Sequence, residues 1–397
     1  MTLEQMRTTL GISTLPGAFT EIYDRIKTEY IAHAAHILSD EFLTETLQEH
    51  RVMLSYQDII LAAARDIRKN EAFSLLVCLL EKWVAQGGDV ADSAYEEPIG
   101  TGLAYDFLHL FPAIPTIPRS AAQLRSRGVP EDVIVDTLRE YDFCIDHCVG
   151  RVNRPAFLRD RLNWIRRIID GDLIHIGRLK YDLPDRFLSG VRVYQNEEGS
   201  LSLLADDLQV HSSGRVLGSS GCTDAEGNFL ARIHETEDAV TGHPVIDGLV
   251  AKQEVVLQKN QWKLCLSEND PVLRVHIPPG GNFDKQTLAN TYQRTREVMA
   301  NCYPDMPFKA FYCSSWLMSL DLREILKPDS NILRFQTDYI AVPIQGIDAP
   351  TFSFVFGDLT LTPADAPTLP ENTSLQRAIK QRYLDGKHVR HGAGFFF

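Results

Sequence analysis

No stretch of this chain approaches the roughly 20 consecutive apolar residues that a membrane-spanning helix needs. Met1 to Leu10 lack the charged-then-apolar order of an export signal. Positive charge is in deficit: 40 Lys and Arg stand against 53 Asp and Glu, a formal net charge of −13. The acidic excess runs through both halves, so no basic domain is hidden in the average. That argues against nucleic acid and against a membrane surface as partners, and any anionic ligand needs a local positive site. Cysteine is sparse and scattered, with seven residues at 78, 144, 148, 222, 265, 302 and 313. An odd number without framework spacing predicts a reduced, cytoplasmic chain. Cys144 and Cys148 would share one helix face, but nothing nearby completes a set of four ligands, so buried thiols and no metal are expected. The dinucleotide fingerprint and the Walker A loop are both missing, which lowers the case for NAD or ATP. There is no internal repeat and no low-complexity tract.

What is present is ample apolar material, 44% of 397 residues, enough for about two domains. The first part carries helical spacing. Ile22, Ile26, Tyr30, Ala34 and Leu38 recur every four residues. Asp58 to Gln86 forms one long helical run whose centre, Phe73 to Leu80, is apolar all round and so buried, and Gly87-Gly88 stops it. Ser120 to Ser126 followed by Gly128 to Asp132 predicts helix, turn, helix, and Arg154 to Ile169 a further helix with a solvated arginine face.

The pattern changes near Asp170-Gly171. Strand-like pieces follow at Leu173–Tyr181, Leu208–His211, Phe229–His234, Glu254–Leu257 and Trp262–Leu266, the last two flanking Lys259-Asn260 like a hairpin. Val272–Ile277, Ala310–Cys313, Ile332–Gln336 and Phe352–Phe356 continue the series, with helices at 284–301 and around 320–326. Near the end, Thr373-Ser374 caps a helix from Leu375 to Leu384, and Phe395-Phe396-Phe397 are expected to pack rather than stand in water.

The most informative segment is Val272 to Val298. An apolar strand is stopped by Pro278-Pro279, turns at Gly280-Gly281-Asn282, and runs into a long helix. A strand, a glycine loop and a helix start present bare N–H groups and a positive dipole end to a phosphate. An acyl-CoA pyrophosphate is the common ligand left for that geometry once NAD and ATP are set aside.

Four segments carry a resemblance: Pro271 to Gly281, Phe311 to Leu317, Ser330 to Gln336 and Leu369 to Ala378. With the helical first half they make the chain resemble the bacterial two-domain N-acyltransferases, with a helical N-terminal domain and a GNAT-like C-terminal domain. The resemblance implies an α+β chain with a helical domain over 1–165 and a mixed, mostly antiparallel sheet domain over 166–397. It implies that the fourth strand, 272–277, leads into a pyrophosphate loop at 278–283. The fifth strand, about 309–313, would splay away from the fourth, leaving a gap for the pantetheine of acyl-CoA or acetyl-CoA. Ile277, Gly280, Gly281 and Asn282 are then the cofactor-binding candidates. The usual loop carries an Arg or Gln followed by spaced glycines; here Pro-Pro-Gly-Gly-Asn stands instead.

Transfer of an acyl group to an amine needs a base, oxyanion donors and an acid for the leaving thiolate. His276 is the candidate base, since histidine titrates near neutrality. Cys313, Ser314 and Ser315 are candidate donors, and a covalent Cys313 intermediate is the alternative. Tyr303 and Tyr312 are acid candidates by residue type. The expected function is acyl-CoA-dependent transfer to a small-molecule amine by direct attack in a ternary complex. Its rivals are a catalytically inactive GNAT-like binding or regulatory module and a hydrolase using Cys313 or a serine.

Overall fold

The computed structural model describes residues 1–91, 94–281 and 283–397. The chain divides into two compact units, Met1–Gly177 and Arg178–Phe397.

The first unit is helical and built around Glu71–Ala85. The centre of that helix is apolar all round, so neighbours cover it on several sides: Leu3–Leu10, Ala18–Ile26, Tyr30–Ile37 and Gln57–Arg68. The single run expected from 58 to 86 is in fact two helices, Gln57–Arg68 and Glu71–Ala85. Asn70 makes the break, because its side-chain oxygen accepts from Ala72 N at 2.9 Å and caps the second helix. The four-residue spacing from Ile22 to Leu38 also spans two helices, and the arginine-rich one begins only at Arg159. Cys144 and Cys148 are both buried on Glu140–Val152. Glu131–Leu138 packs on the short strand Leu173–Ile176, where Thr137 Oγ1 accepts from His175 N at 3.0 Å.

The second unit holds a mixed sheet. Its own strands run in the order Leu179–Arg186, Pro271–His276, Ala310–Ser315, Gly392–Phe396, Ile340–Val342. Pro271–His276 and Ala310–Ser315 are parallel, which requires a crossover, and the helix Lys285–Cys302 supplies it. Every other pairing in this set is antiparallel. A second antiparallel sheet has the order Val255–Gln258, Ala239–Ile246, Leu201–Ala205, Val191–Asn196, Trp262–Leu266. The two sheets share a core of Phe187, Val193, Leu203, Leu266, Tyr312 and Phe395. On its other face the first sheet carries an aromatic layer. Phe311 stacks on Phe396 at 4.8 Å between ring centres, and Tyr292 of the helix meets both rings. Phe395 and Phe396 therefore belong to the sheet itself, through the strand Gly392–Phe396, whereas Phe397 lies beyond the strand and is exposed.

Several expected strands are corrected. Leu173–Tyr181 is interrupted at Gly177, which sits at φ +61. Ile332–Gln336 lies in a helix, Asn331–Gln336, because Ser330 Oγ accepts from Leu333 N at 3.3 Å and starts a turn that β-branched composition does not reveal. Phe352–Phe356 is helical, entered through Pro350 and closed by Gly357 at φ +81. The segments beside Lys259-Asn260 are strands but not a hairpin. Val255–Gln258 pairs with Ala239–Ile246, and Trp262–Leu266 pairs with Val191–Asn196. Alternation alone cannot say which partner a strand takes.

Phe395 is wholly buried between the sheets. Phe395→Ala is expected to lower stability by about 3–5 kcal/mol, measured as a fall in the denaturant midpoint at unchanged slope.

Candidate functional site

The site begins where two paired strands part. Pro271–His276 and Ala310–Ser315 are in register at Val272–Ala310, Leu273–Phe311 and Arg274–Tyr312, and among the described residues the pairing goes no further. Each strand is still held on its outer side past that point. His276 stays opposite Lys180, and Cys313, Ser314 and Ser315 stay opposite Gly394, Ala393 and Gly392. Beyond Arg274 and Tyr312 the inner edges therefore face a gap.

Side-chain alternation decides what faces this gap. Continuing the register past Arg274–Tyr312 sets His276 across from Ser314, with Arg274, His276, Tyr312 and Ser314 on one sheet face. On that face His276 Nε2 lies 2.8 Å from Asp182 Oδ2, and Arg274 Nη1 lies 3.3 Å from Asp185 Oδ2. Asp182 is buried and His276 half-buried. A carboxylate can only accept, so Nε2 carries the proton, and in the neutral ring Nδ1 holds the lone pair. Lys180, also buried, stands opposite His276 in the antiparallel register. Tyr312 donates its hydroxyl to Leu188 O at 2.9 Å, and burial pushes that phenol above its usual range.

Cys313 and Ser314 are adjacent in sequence but on opposite faces. Cys313 is fully buried on the side of Tyr292 and Tyr339, and burial pushes its thiol up to about 12. Burial thus disfavours the thiolate that a covalent route would need. Tyr303 follows the C-terminus of Lys285–Cys302, about 27 Å along the helix from the loop, since each residue rises about 1.5 Å. It is therefore set apart from the gap. His391 borders the same unit's core, where Ile347 N donates to its Nδ1 at 3.0 Å; burial and the Arg274 charge hold it below its ordinary range.

The loop after His276 holds the cofactor candidates. Ile277 is its first residue, Gly280 and Gly281 take φ +69 and +68, and Asn282 lies outside the described residues. The helix start is not bare, as the sequence pattern suggested. Asp284 caps it, with Oδ1 accepting from Thr287 N at 2.8 Å. A carboxylate already satisfies part of the positive end. Arg178 reaches the loop from the start of Leu179–Arg186, and its Nη2 donates to Gly280 O at 2.5 Å.

Asp182, Asp185, Lys180 and Arg178 escaped the sequence reading. A signal was there: in Leu179 to Leu183 the odd positions are apolar and the even ones charged, the mark of a strand with one polar face.

The fold so described is a helical unit followed by a GNAT-like mixed-sheet unit. A family model for the GNAT-like C-terminal domain matches residues 173–396, and the chain belongs to that family. Two solved structures share the fold over the whole chain. One is an acyltransferase in complex with decanoyl-CoA and teicoplanin, at 17% identity and a TM-score of 0.61. Another is an acyltransferase in complex with CoA and 10C-teicoplanin, at 16% identity and 0.61. Each alignment covers 100% of this chain and 99% of the other. No curated protein sequence matches the chain.

The burial of Cys313 gives a direct check. Under native conditions at pH 7 iodoacetamide should leave Cys313 unmodified while labelling it fully after unfolding, read by peptide mass spectrometry. Rapid native labelling with loss of turnover would favour a thiol route.

Proposed function

We propose that this chain is an acyl-CoA-dependent N-acyltransferase that passes an acyl group to a small amine by direct attack in a ternary complex. The observation that carries this reading is the gap beyond Arg274 and Tyr312 with the His276–Asp182 pair at its edge. The pantetheine arm has two amides, so it can lie between the parted strands as a surrogate strand. Membership of the GNAT-like family and the fold shared with acyltransferases that hold CoA thioesters support the same donor.

In this scheme His276 Nδ1 takes the proton of the incoming amine. The amine lone pair attacks the thioester carbonyl carbon, a C–N bond forms, the C–S bond breaks, and the departing thiolate takes the proton back from the His276 imidazolium. Asp182 holds the imidazole by Nε2–H and stabilises the imidazolium that forms, so it acts as a positioning residue. Backbone N–H groups on the inner strand edges are the oxyanion donors, with the Ser314 hydroxyl beside them. Cys313, protonated and buried, remains at most a weak S–H donor. The binding candidates are Ile277, Gly280, Gly281 and Asn282. The odd number and scattered spacing of the cysteines support a cytoplasmic location for this enzyme.

One observation favours a second reading, a GNAT-like module that binds without turnover. The Asp284 carboxylate sits at the helix start where the family's phosphate would approach. Calorimetry separates the cases. Heat on adding CoA together with release of free thiol from an acyl-CoA supports the transferase. Heat without turnover, or no heat at millimolar CoA, defeats the transferase and leaves the module, whose ligand need not be CoA.

His276→Gln is expected to lower turnover by about 10²–10⁴-fold, the usual effect of losing a general base. CoA affinity should be nearly unchanged, and the pH profile should lose its inflection near the histidine range. Full activity with a lowered melting temperature would assign His276 to structure. Asp182→Asn should also reduce turnover and move the remaining inflection to lower pH, because the carboxylate no longer favours the charged ring.

A further inference from the structure

The loop that should meet the donor's diphosphate carries no positive side chain. From Ile277 to Phe283 there is no Lys or Arg, and Asp284 adds a negative charge at the helix start. The whole chain is acidic, so long-range attraction does not compensate. At the helix start Asp284 and Lys285 offset each other's charge, so within the loop itself a diphosphate would meet backbone N–H groups alone.

Arg178 stands at that place without belonging to the loop. Its backbone N–H donates to Thr291 Oγ1 at 3.1 Å, and Thr291 is buried on the helix that follows the loop. That bond fixes the Arg178 backbone against the helix. Its guanidinium lies 5.2 Å from the centre of the Phe283 ring, over the ring face, and Nη2 bonds Gly280 O. Nε is buried with no hydrogen-bond partner, and no salt bridge engages the side chain among the described residues. Arg192, Arg215, Arg274 and Arg382 in the same unit each meet a carboxylate. Gly281 completes the arrangement, since a Cβ there would come 3.3 Å from Arg178 Nε. Glycine lets the loop run close against the guanidinium plane.

A guanidinium presents five donors in a planar fork that matches two phosphate oxygens. The carbonyl of Gly280 occupies one of these donors and is a weaker acceptor than a phosphate oxygen. We infer that Arg178 is the diphosphate-binding cation of this protein, supplying from a neighbouring strand the charge that its glycine loop lacks. On binding, the fork turns from Gly280 O to the phosphate oxygens while the Phe283 face keeps its plane. Arg178 then selects donors that carry a diphosphate over those that end at pantetheine. This inference rests on the acyl-CoA reading above and adds the residue that recognises the donor.

The test is calorimetry of the full chain with CoA, 3′-dephospho-CoA and pantetheine, for wild type, Arg178→Met and Arg178→Lys. Arg178→Met should weaken CoA and dephospho-CoA alike, by about 10- to 100-fold, the scale of a lost charge-assisted pair. Pantetheine binding should not change. Arg178→Lys should recover part of the affinity by charge but not the two-point geometry. Raising salt should weaken CoA binding by wild type more than by Arg178→Met. Melting curves for both variants identify any loss of fold, and the lysine variant decides if the methionine one is unstable. Equal loss for all three ligands would make Arg178 a scaffold residue and overturn the inference. A loss confined to CoA would place it on the 3′-phosphate and overturn it as well. If wild type binds CoA and both variants bind it equally, the inference alone fails. If wild type binds none of the three, the acyl-CoA reading fails first.

Discussion

Two neighbouring strands that run parallel, pair for three residues and then part set everything else in the second unit. A parallel pair closes its hydrogen bonds evenly along its length unless something holds the strands apart. Here the outer partners do so. Leu179–Arg186 keeps Pro271–His276 in register on one flank, and Gly392–Phe396 keeps Ala310–Ser315 on the other. The Phe311, Phe396 and Tyr292 layer fills the space beneath the sheet, and the Tyr312 and Phe395 layer fills the space above. With both flanks and both faces occupied, the two strands are held apart beyond Arg274 and Tyr312.

The far flank is itself anchored by buried charge. Asp321 accepts from Arg215, Arg382 and Arg390, and its Oδ2 also takes the Arg390 N–H at 3.1 Å. Asp348 holds His388 Nδ1 at 2.7 Å and Val389 N at 2.9 Å. Both clusters grip the segment that leads into Gly392–Phe396. Such groups contribute less to net stability than to fixing one arrangement, because their desolvation offsets much of their attraction. What they fix is the position of the strand that keeps Cys313 to Ser315 away from Val275 and His276.

Much of this was legible in the residues. The strand–loop–helix order from Val272 to Val298 is a local signal: apolar alternation, two prolines, two glycines and a helix start all lie within a few residues. The resemblance added the parting of the strands, and Arg274–Tyr312 is where it happens. Pairing partners were not legible. Asp182 lies ninety-four residues before His276 in the chain, and only the sheet register brings the two together. Arg178 was hidden for the same reason, since its role comes from a loop about a hundred residues away. Ser330 and Pro350 show the other limit. Each started a helix inside a segment whose composition favoured a strand, so local caps prevailed over propensity.

The second sheet joins Val255–Gln258 and Trp262–Leu266, its two opposite edges, by the short link 259–261. Neighbouring strands lie about 4.8 Å apart, so a flat five-strand sheet would separate those edges by about 19 Å. A link of four residue steps spans at most about 14 Å. The sheet must therefore curl, and Tyr194, Leu204, Val240 and Leu257 fill the hollow. This has a kinetic consequence. Trp262–Leu266 cannot zip onto the strand just made and has to find Val191–Asn196, some seventy residues back. Closing so long a loop costs entropy before any pairing returns it. The second unit should consequently fold on the millisecond-to-second scale of non-local β-structure, more slowly than the locally connected helices of the first.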